Sequence, residues 1–207
     1  MISSIRLIAV IFLFPIALQA QIQLQNPSFE STPQDATVPV GWYACDVGTT
    51  PDILPGFWGV YTEPSDGETF MGLITREDGT WESVGQRLSK SMENGKCYSF
   101  SLQLAHSETY TGYNMPVKLR IWGGGKKRSK DQLLAETGPI EHTDWQDYTF
   151  YLNPKGNYNY LIIEAHYIDG VFFSYKGNVL VDGCSPITAC KRADNAEPID
   201  SEDVDKT

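Results

Sequence analysis

The sequence predicts an all-β fold, a two-sheet antiparallel sandwich of the jelly-roll type. Three observations carry that expectation. Short segments alternate apolar and polar residues, Gly, Pro, Asn and Asp punctuate them, and a sustained helical period is missing. About ten such strands, each with one wet face, can bury their apolar faces only by packing one sheet on another.

The elements follow in chain order. Strands are expected at 22–24, 41–44, 57–61, 70–75 and 84–88. In "CYSFSLQLAH", residues 97–106, Tyr98, Phe100, Leu102 and Leu104 share one face, with Ser99, Ser101, Gln103 and Ala105 on the other. In "VKLRIWGGGKK", residues 117–127, Val117, Leu119 and Ile121 form the core face, and Lys118, Arg120 and Trp122 the opposite one. The segment "SKDQLLAE", residues 129–136, reads as a helical turn or as the start of a strand. In "DYTFYLNP" and "YLIIEAHY", Tyr148, Phe150 and Leu152, then Leu161, Ile163, Ala165 and Tyr167, point inward. Ile162, Glu164 and His166 point outward, and a last strand is expected at 178–181. Trp42 and Trp145 are assigned to the edge of the core.

The chain has 207 residues, a formal charge of −10 and four cysteines. Residues 1–20 read as a signal peptide: one Arg, an apolar run of about a dozen residues, then Leu18-Gln19-Ala20 before the expected cleavage at Gln21. An N-terminal membrane anchor is the alternative, but the run is shorter than the roughly 20 residues of a span, so no stable span is expected after cleavage. Residues 21–190 form the expected sandwich domain. Residues 191–207, "KRADNAEPIDSEDVDKT" from Lys191 onward, are polar and acidic without an aromatic, the composition of a disordered tail. An exported protein is implied, whether periplasmic, cell-surface or secreted. Nucleic acid is an unsuitable partner for so acidic a chain. The one basic cluster, Lys126, Lys127, Arg128 and Lys130, reads as a solvated hairpin loop.

Export permits disulfides. Of three possible pairings, Cys184 with Cys190 closes a small loop around Pro186 and leaves Cys45 with Cys97. No CxxC occurs and the histidines are scattered, which argues against zinc. Catalysis is not expected: G-x-S-x-G and HExxH are missing, and acid pairs assembled from Glu77, Asp78, Glu82, Glu108 and Glu164 are what any acidic chain supplies. His106 with Glu108 near Tyr110 is the best catalytic constellation available, and Cys97 reads as half of a disulfide and not as a nucleophile.

An ordered set of segments resembles the galactose-binding-like jelly rolls, especially carbohydrate-binding modules of secreted bacterial glucanases and xylanases. The set is "NPSFE" (26–30), "VGW" (40–42), "VGQRL" (84–88), "NGKCYSFSLQL" (94–104), "DWQDYTFYL" (144–152) and "GNVLVDG" (177–183). The longer wording "TPDILPGFWGV", "GTWESVGQRL" and "PVKLRIWGG" is more similar to uncharacterised exported domains of gliding-type bacteria, which occur alone or with outer-membrane and adhesion modules. The resemblance implies a structural Ca²⁺ held by Glu30 and Asp182, with Asp66 or carbonyls of "PSDGE" (64–68) supplying further oxygens. The alternative is that both carboxylates bond nearby backbone amides.

The resemblance also places the strands from Cys97, Val117 and Tyr160 in one sheet. Their outer faces would then pool Gln103, Arg120, Trp122 and Glu164 as a sugar platform, Trp122 stacking and the others hydrogen-bonding. Trp58, Trp81, Tyr110 and Tyr113 stand in Gly-rich or polar connections and are candidate ligand contacts from loops. Each is also explained as a lid on the sandwich. The expected function is non-catalytic recognition of a polysaccharide or other glycan; the alternative is a structural or adhesive protein that docks a cell-envelope protein.

Overall fold

The structure, a computed structural model, describes residues 21–190. The expected signal peptide (1–20) and acidic tail (191–207) lie outside the described residues.

Twelve strands form two antiparallel-dominated sheets, and the described residues contain no helix. The strands are β1 Tyr43–Ala44, β2 Asp52–Leu54, β3 Phe70–Thr75, β4 Ser83–Met92, β5 Tyr98–Ala105 and β6 Met115–Pro116. They continue as β7 Lys118–Gly124, β8 Gln132–Glu136, β9 Gln146–Leu152, β10 Tyr158–His166, β11 Gly177–Asp182 and β12 Thr188–Ala189. One sheet has the order β1-β4-β10-β7-β8; the other runs β12-β5-β11-β3-β2, with β9 also on β5 and β6 parallel on β11.

The core lies between the sheets, and the alternation within each strand decides what enters it. From β5 come Tyr98, Phe100, Leu102 and Leu104, from β7 Leu119 and Ile121, and from β10 Leu161, Ile163 and Ala165, all buried. Register enforces the pairing, with Ile121 opposite Ile163 and Leu119 opposite Ala165. Trp42 is buried against this core, where its indole N–H donates to Asn26 O at 3.0 Å and its ring meets Phe29 at 5.0 Å. A second apolar cluster covers the outer face of the seven-stranded sheet: Leu54, Val60, Phe70, Ile74, Tyr110 and Leu180, with Trp145 packed against it. That face is therefore roofed by loops and not washed by solvent.

Several expectations are corrected. Residues 57–61 are a loop, because Gly56 and Gly59 take positive φ and Trp58 does too, at 55°. The strand in that region is β2 instead. Residues 22–24 contribute one bridge, Ile22 to Ile187. Of the two readings of the 129–136 segment the strand holds, from Gln132 onward.

The disulfide joins Cys97 to Cys190, with Cα atoms 5.2 Å apart, and Cys45 and Cys184 are free thiols. Both expected pairings fail for one reason. Pairing of β12 with β5 sets Ala189 opposite Tyr98, which carries Cys190 to Cys97, whose carbonyl accepts the Cys190 N–H at 3.0 Å. Cys184 points into the core and Cys45 lies beside Gly85 on the other sheet.

Candidate functional site

The outer face of the five-stranded sheet is built by register. Ile162 on β10 lies between Gly85 on β4 and Trp122 on β7; Glu164 lies between Ser83 and Arg120; His166 faces Lys118. Because the period of a strand is two, the same alternation that sends Leu119 and Ile121 inward sends Lys118, Arg120 and Trp122 to this face. Trp122 donates its Nε1–H to Glu164 Oε1 at 3.1 Å. Arg120 Nε meets Glu136 Oε2 at 3.1 Å, and Lys118 Nζ meets the same oxygen at 3.0 Å and Asp169 at 2.7 Å.

The basic hairpin is not simply solvated. It folds back over this face from β7 toward β1. Lys130 Nζ donates to Glu164 Oε2 and, at 2.5 Å, to Asp46 Oδ2; Arg128 Nε donates to Ala44 O at 2.9 Å; Lys127 Nζ stands 4.6 Å from the Tyr43 ring centroid. The triple glycine permits the fold-back. A Cβ on Gly124 would lie 2.1 Å from Ser129 O, and one on Gly123 2.6 Å from the Tyr158 ring. Burial opposes the charge on Lys130, but Asp46 and Glu164 together outweigh it and hold its pKa above the ordinary value. Glu164, 1% exposed, is thus covered at the centre of the face and is compensated by Lys130, Trp122 and Arg120.

Beside this sealed centre the face opens. Trp81, at the turn before β4, packs on His166 with ring centroids 4.7 Å apart and lines a recess of about 200 Å³ with Asp46, Val47, Gly79 and Thr80. Its Nε1 is buried without a hydrogen-bond partner. Burial, followed by the neighbouring cations Arg120 and Lys118, lowers the pKa of His166, which favours the neutral imidazole.

The structure therefore brings Arg120, Trp122, Glu164 and Trp81 to one side of the sandwich and separates the rest. Gln103 is on β5 in the other sheet, so the expected common sheet of the strands from Cys97, Val117 and Tyr160 is corrected. β5 pairs with β9, β11 and β12, and Gln103 instead accepts the Ser65 hydroxyl. Trp58, Tyr110 and Tyr113 gather on the opposite side of the sandwich around Asp52. Tyr110 is 1% exposed and donates its hydroxyl to Asp52, so it is a wall and not a surface contact. His106 is buried against Asn178 O while Glu108 is exposed, and they do not form an acid/base pair. Sequence reasoning places His166 on this face by its alternation with Glu164, but misses Asp46 and Lys130, which reach it from loops.

Glu30 and Asp182 both hold the Ser65–Thr69 turn. Glu30 Oε1 accepts the N–H groups of Glu68 and Thr69 at 3.0 and 3.3 Å; Asp182 Oδ2 accepts those of Ser65 and Asp66, both at 2.9 Å. Asp66 accepts the Ser28 hydroxyl close by. Every side chain at this turn is an oxygen donor, which suits Ca²⁺ by type. The amide bonds already occupy part of that capacity, and among the described residues no three Asp, Glu, His or Cys side chains converge as a metal set. Burial pushes Asp182, fully enclosed, up to about 6.

No protein-family model matches the sequence, and no curated protein matches it. Solved structures do match in fold. A Stig cyclase, Fisc from Fischerella sp. TAU, is similar with a TM-score of 0.53 and 14% identity over 83% of this chain and 98% of its own. The CBM22-1 xylan-binding domain of Paenibacillus barcinonensis Xyn10C gives 0.51 and 17% over 86% and 100%. The K3 cleaved adhesin domain of Lys-gingipain from Porphyromonas gingivalis w83 gives 0.51 and 14% over 82% and 98%. Enzymes, binding modules and adhesin domains all use this scaffold, so at these identities the likeness is one of fold. In that sense the chain is a two-sheet β-sandwich with the fold these binding, adhesin and cyclase domains share.

Proposed function

We propose that the chain is an exported, non-catalytic carbohydrate-binding domain that recognises an extracellular glycan beside the outer face of its five-stranded sheet. The observation that carries the reading is the open recess at Trp81, whose wall residue Asp46 is joined through Lys130 to the sealed Glu164, Trp122 and Arg120 cluster. An indole wall with a buried unpaired N–H, next to a carboxylate and a threonine hydroxyl, offers a stacking surface and polar partners to a pyranose. The fold of xylan-binding and other modules supports it at the coarse level. The disulfide Cys97–Cys190 supports an oxidising destination, in keeping with residues 1–20 as a signal peptide, 21–190 as the folded domain and 191–207 as a solvated tail.

Calorimetry against a panel of soluble polysaccharides tests the reading. Trp81→Ala should weaken binding by about 1 to 3 kcal/mol with little loss of stability, and Trp122→Ala should weaken it less. Leu119→Ala, on the core side of the same strand as Trp122, should instead cost about 2 to 5 kcal/mol of folding stability. A protein that binds no polysaccharide sinks the proposal.

A second reading, an adhesive or structural envelope protein, is favoured by one feature. The loop between β10 and β11 exposes Phe172 (99%), Phe173 (72%) and Val171 (38%) beside the Gly79 turn. Phe172→Ser with Phe173→Ser should abolish capture of an envelope protein under that reading and leave glycan binding intact under the first. A structural Ca²⁺ at Glu30 and Asp182, with Asp66 near, belongs to the proposal in either case; it would pin both ends of the domain to one turn.

A further inference from the structure

The opposite side of the sandwich holds a second recess, of about 140 Å³, walled by Trp58, Tyr113, Tyr110, Ile74, Arg76 and Asp52. Trp58 is the unusual member. A bulky aromatic at φ 55° is strained, and such strain persists only where surrounding contacts fix it. Here they do: its carbonyl accepts the Thr111 N–H at 2.8 Å and the Thr111 hydroxyl at 2.9 Å. The result of this restraint is an indole left 44% exposed. A fold that needed only to cover Leu54 and Phe70 would gain nothing from holding a tryptophan half in water.

The polar groups of the recess are also unbalanced. Arg76 spends Nη2 on Glu82 Oε1, at 2.5 Å, and on Thr50 Oγ1, at 3.2 Å, while its Nη1 is buried without any acceptor. Asp52 accepts the Ala36 N–H at 2.7 Å and the Tyr110 hydroxyl, which leaves about two of its roughly four lone-pair directions. The recess lining therefore combines an unpaired donor, an acceptor with spare capacity and an aromatic plane.

Charge narrows the occupant. Glu82 neutralises Arg76, and Asp52 leaves the recess with an excess negative charge, which disfavours a carboxylate or phosphate. The bare Nη1 of Arg76 in the wall disfavours an ammonium group. A neutral ring with an apolar face and adjacent hydroxyls satisfies every group at once. We infer that this recess is a binding site for a single neutral pyranose, separate from the sheet-face site, with the ring stacked on Trp58. One hydroxyl donates to Asp52 and its neighbour accepts from Arg76 Nη1. The inference stands whether or not the Trp81 recess binds glycan.

The test is a titration of the full chain, ¹⁵N-labelled in its tryptophans, with methyl glycosides of neutral hexoses and pentoses, and with glucuronate and glucosamine as charged probes. A neutral glycoside is expected to move one indole resonance saturably, and Trp58→Gly, which relaxes the positive φ, identifies that resonance by removing it. Calorimetry on Trp58→Gly and on Arg76→Lys, which keeps a cation against Glu82 but lacks Nη1, should show affinity lower by about tenfold or more. The shift of the Trp58 resonance should be unchanged in Trp81→Ala. No shift of the Trp58 resonance by any neutral glycoside, tighter binding of either charged probe, or affinity undisturbed by both variants overturns the inference.

Discussion

Trp122 and Glu164 are joined across β7 and β10 by a 3.1 Å hydrogen bond from indole to carboxylate, while the other carboxylate oxygen meets Lys130. Because Glu164 is 1% exposed, its charge relies on those partners. Glu164→Ala is expected to cost about 3 kcal/mol in urea unfolding, since it leaves Lys130 and the indole N–H short of an acceptor. In a Lys130→Met background the same change should cost distinctly less. Equal costs in the two backgrounds would show that the pair is not coupled.

The hairpin that carries Lys130 depends on Gly124. Alanine there would place a Cβ 2.1 Å from a backbone oxygen, Ser129 O, which cannot swing aside like a side chain. Gly124→Ala should lift the hairpin from the sheet, with a stability loss of about 1 to 3 kcal/mol and faster amide exchange over residues 124–131. Gly125→Ala is the control, because its nearest neighbour is the movable carboxylate of Asp131, at 3.3 Å. Identical exchange in the two variants would show that crowding at Gly124 does not hold the hairpin.

These two residues also show what a sequence reveals. The faces of β5, β7 and β10 were legible because alternation is local: Leu119 inward and Trp122 outward follow from adjacent residues. Which strands share a sheet is not local, and Gln103 was misplaced for that reason. Lys130 stands in a basic run that reads as solvated, yet a fold-back over two strands gives it Glu164 and Asp46 as partners. The loop around Trp58 has a strand-like apolar pattern, and the glycines that break it outweigh that pattern.

Cysteine pairing supplies the next test. Four cysteines allowed three connectivities, and only the meeting of β12 with β5 selects Cys97–Cys190. The denatured, unreduced protein should therefore yield two reactive thiols, Cys45 and Cys184, and a single bridged peptide pair on mapping. In the native state both should react slowly: burial pushes the Cys45 thiol up to about 12 and raises Cys184 further. Cys97→Ser should cost about 2 to 5 kcal/mol, since the bridge closes a loop of 93 residues. Recovery of a Cys184–Cys190 peptide would overturn the pairing.

Asp182 links acidity to the proposed calcium. Its folded pKa of about 6 lies above the ordinary 3.8, chiefly because burial disfavours the charged form. Below about pH 4 the carboxyl is protonated in both states; between about 4 and 6 the unfolded chain has released a proton that the folded chain keeps. The unfolded state then binds fewer protons, so this group's contribution to stability falls as pH rises through that window and is constant above it. Asp52 and Glu82, also raised by burial, act in the same direction, so the measurement is the difference in melting temperature between the wild type and Asp182→Asn across pH 4 to 7 in chelator. The variant should gain on the wild type as pH rises. Calcium, if held here, favours the charged carboxylate and should reverse the trend, raising the wild-type melting temperature at pH 7 more than at pH 4 and leaving Asp182→Asn little changed. A wild type indifferent to Ca²⁺ at pH 7 would mean that Glu30 and Asp182 serve only the amides of the Ser65–Thr69 turn.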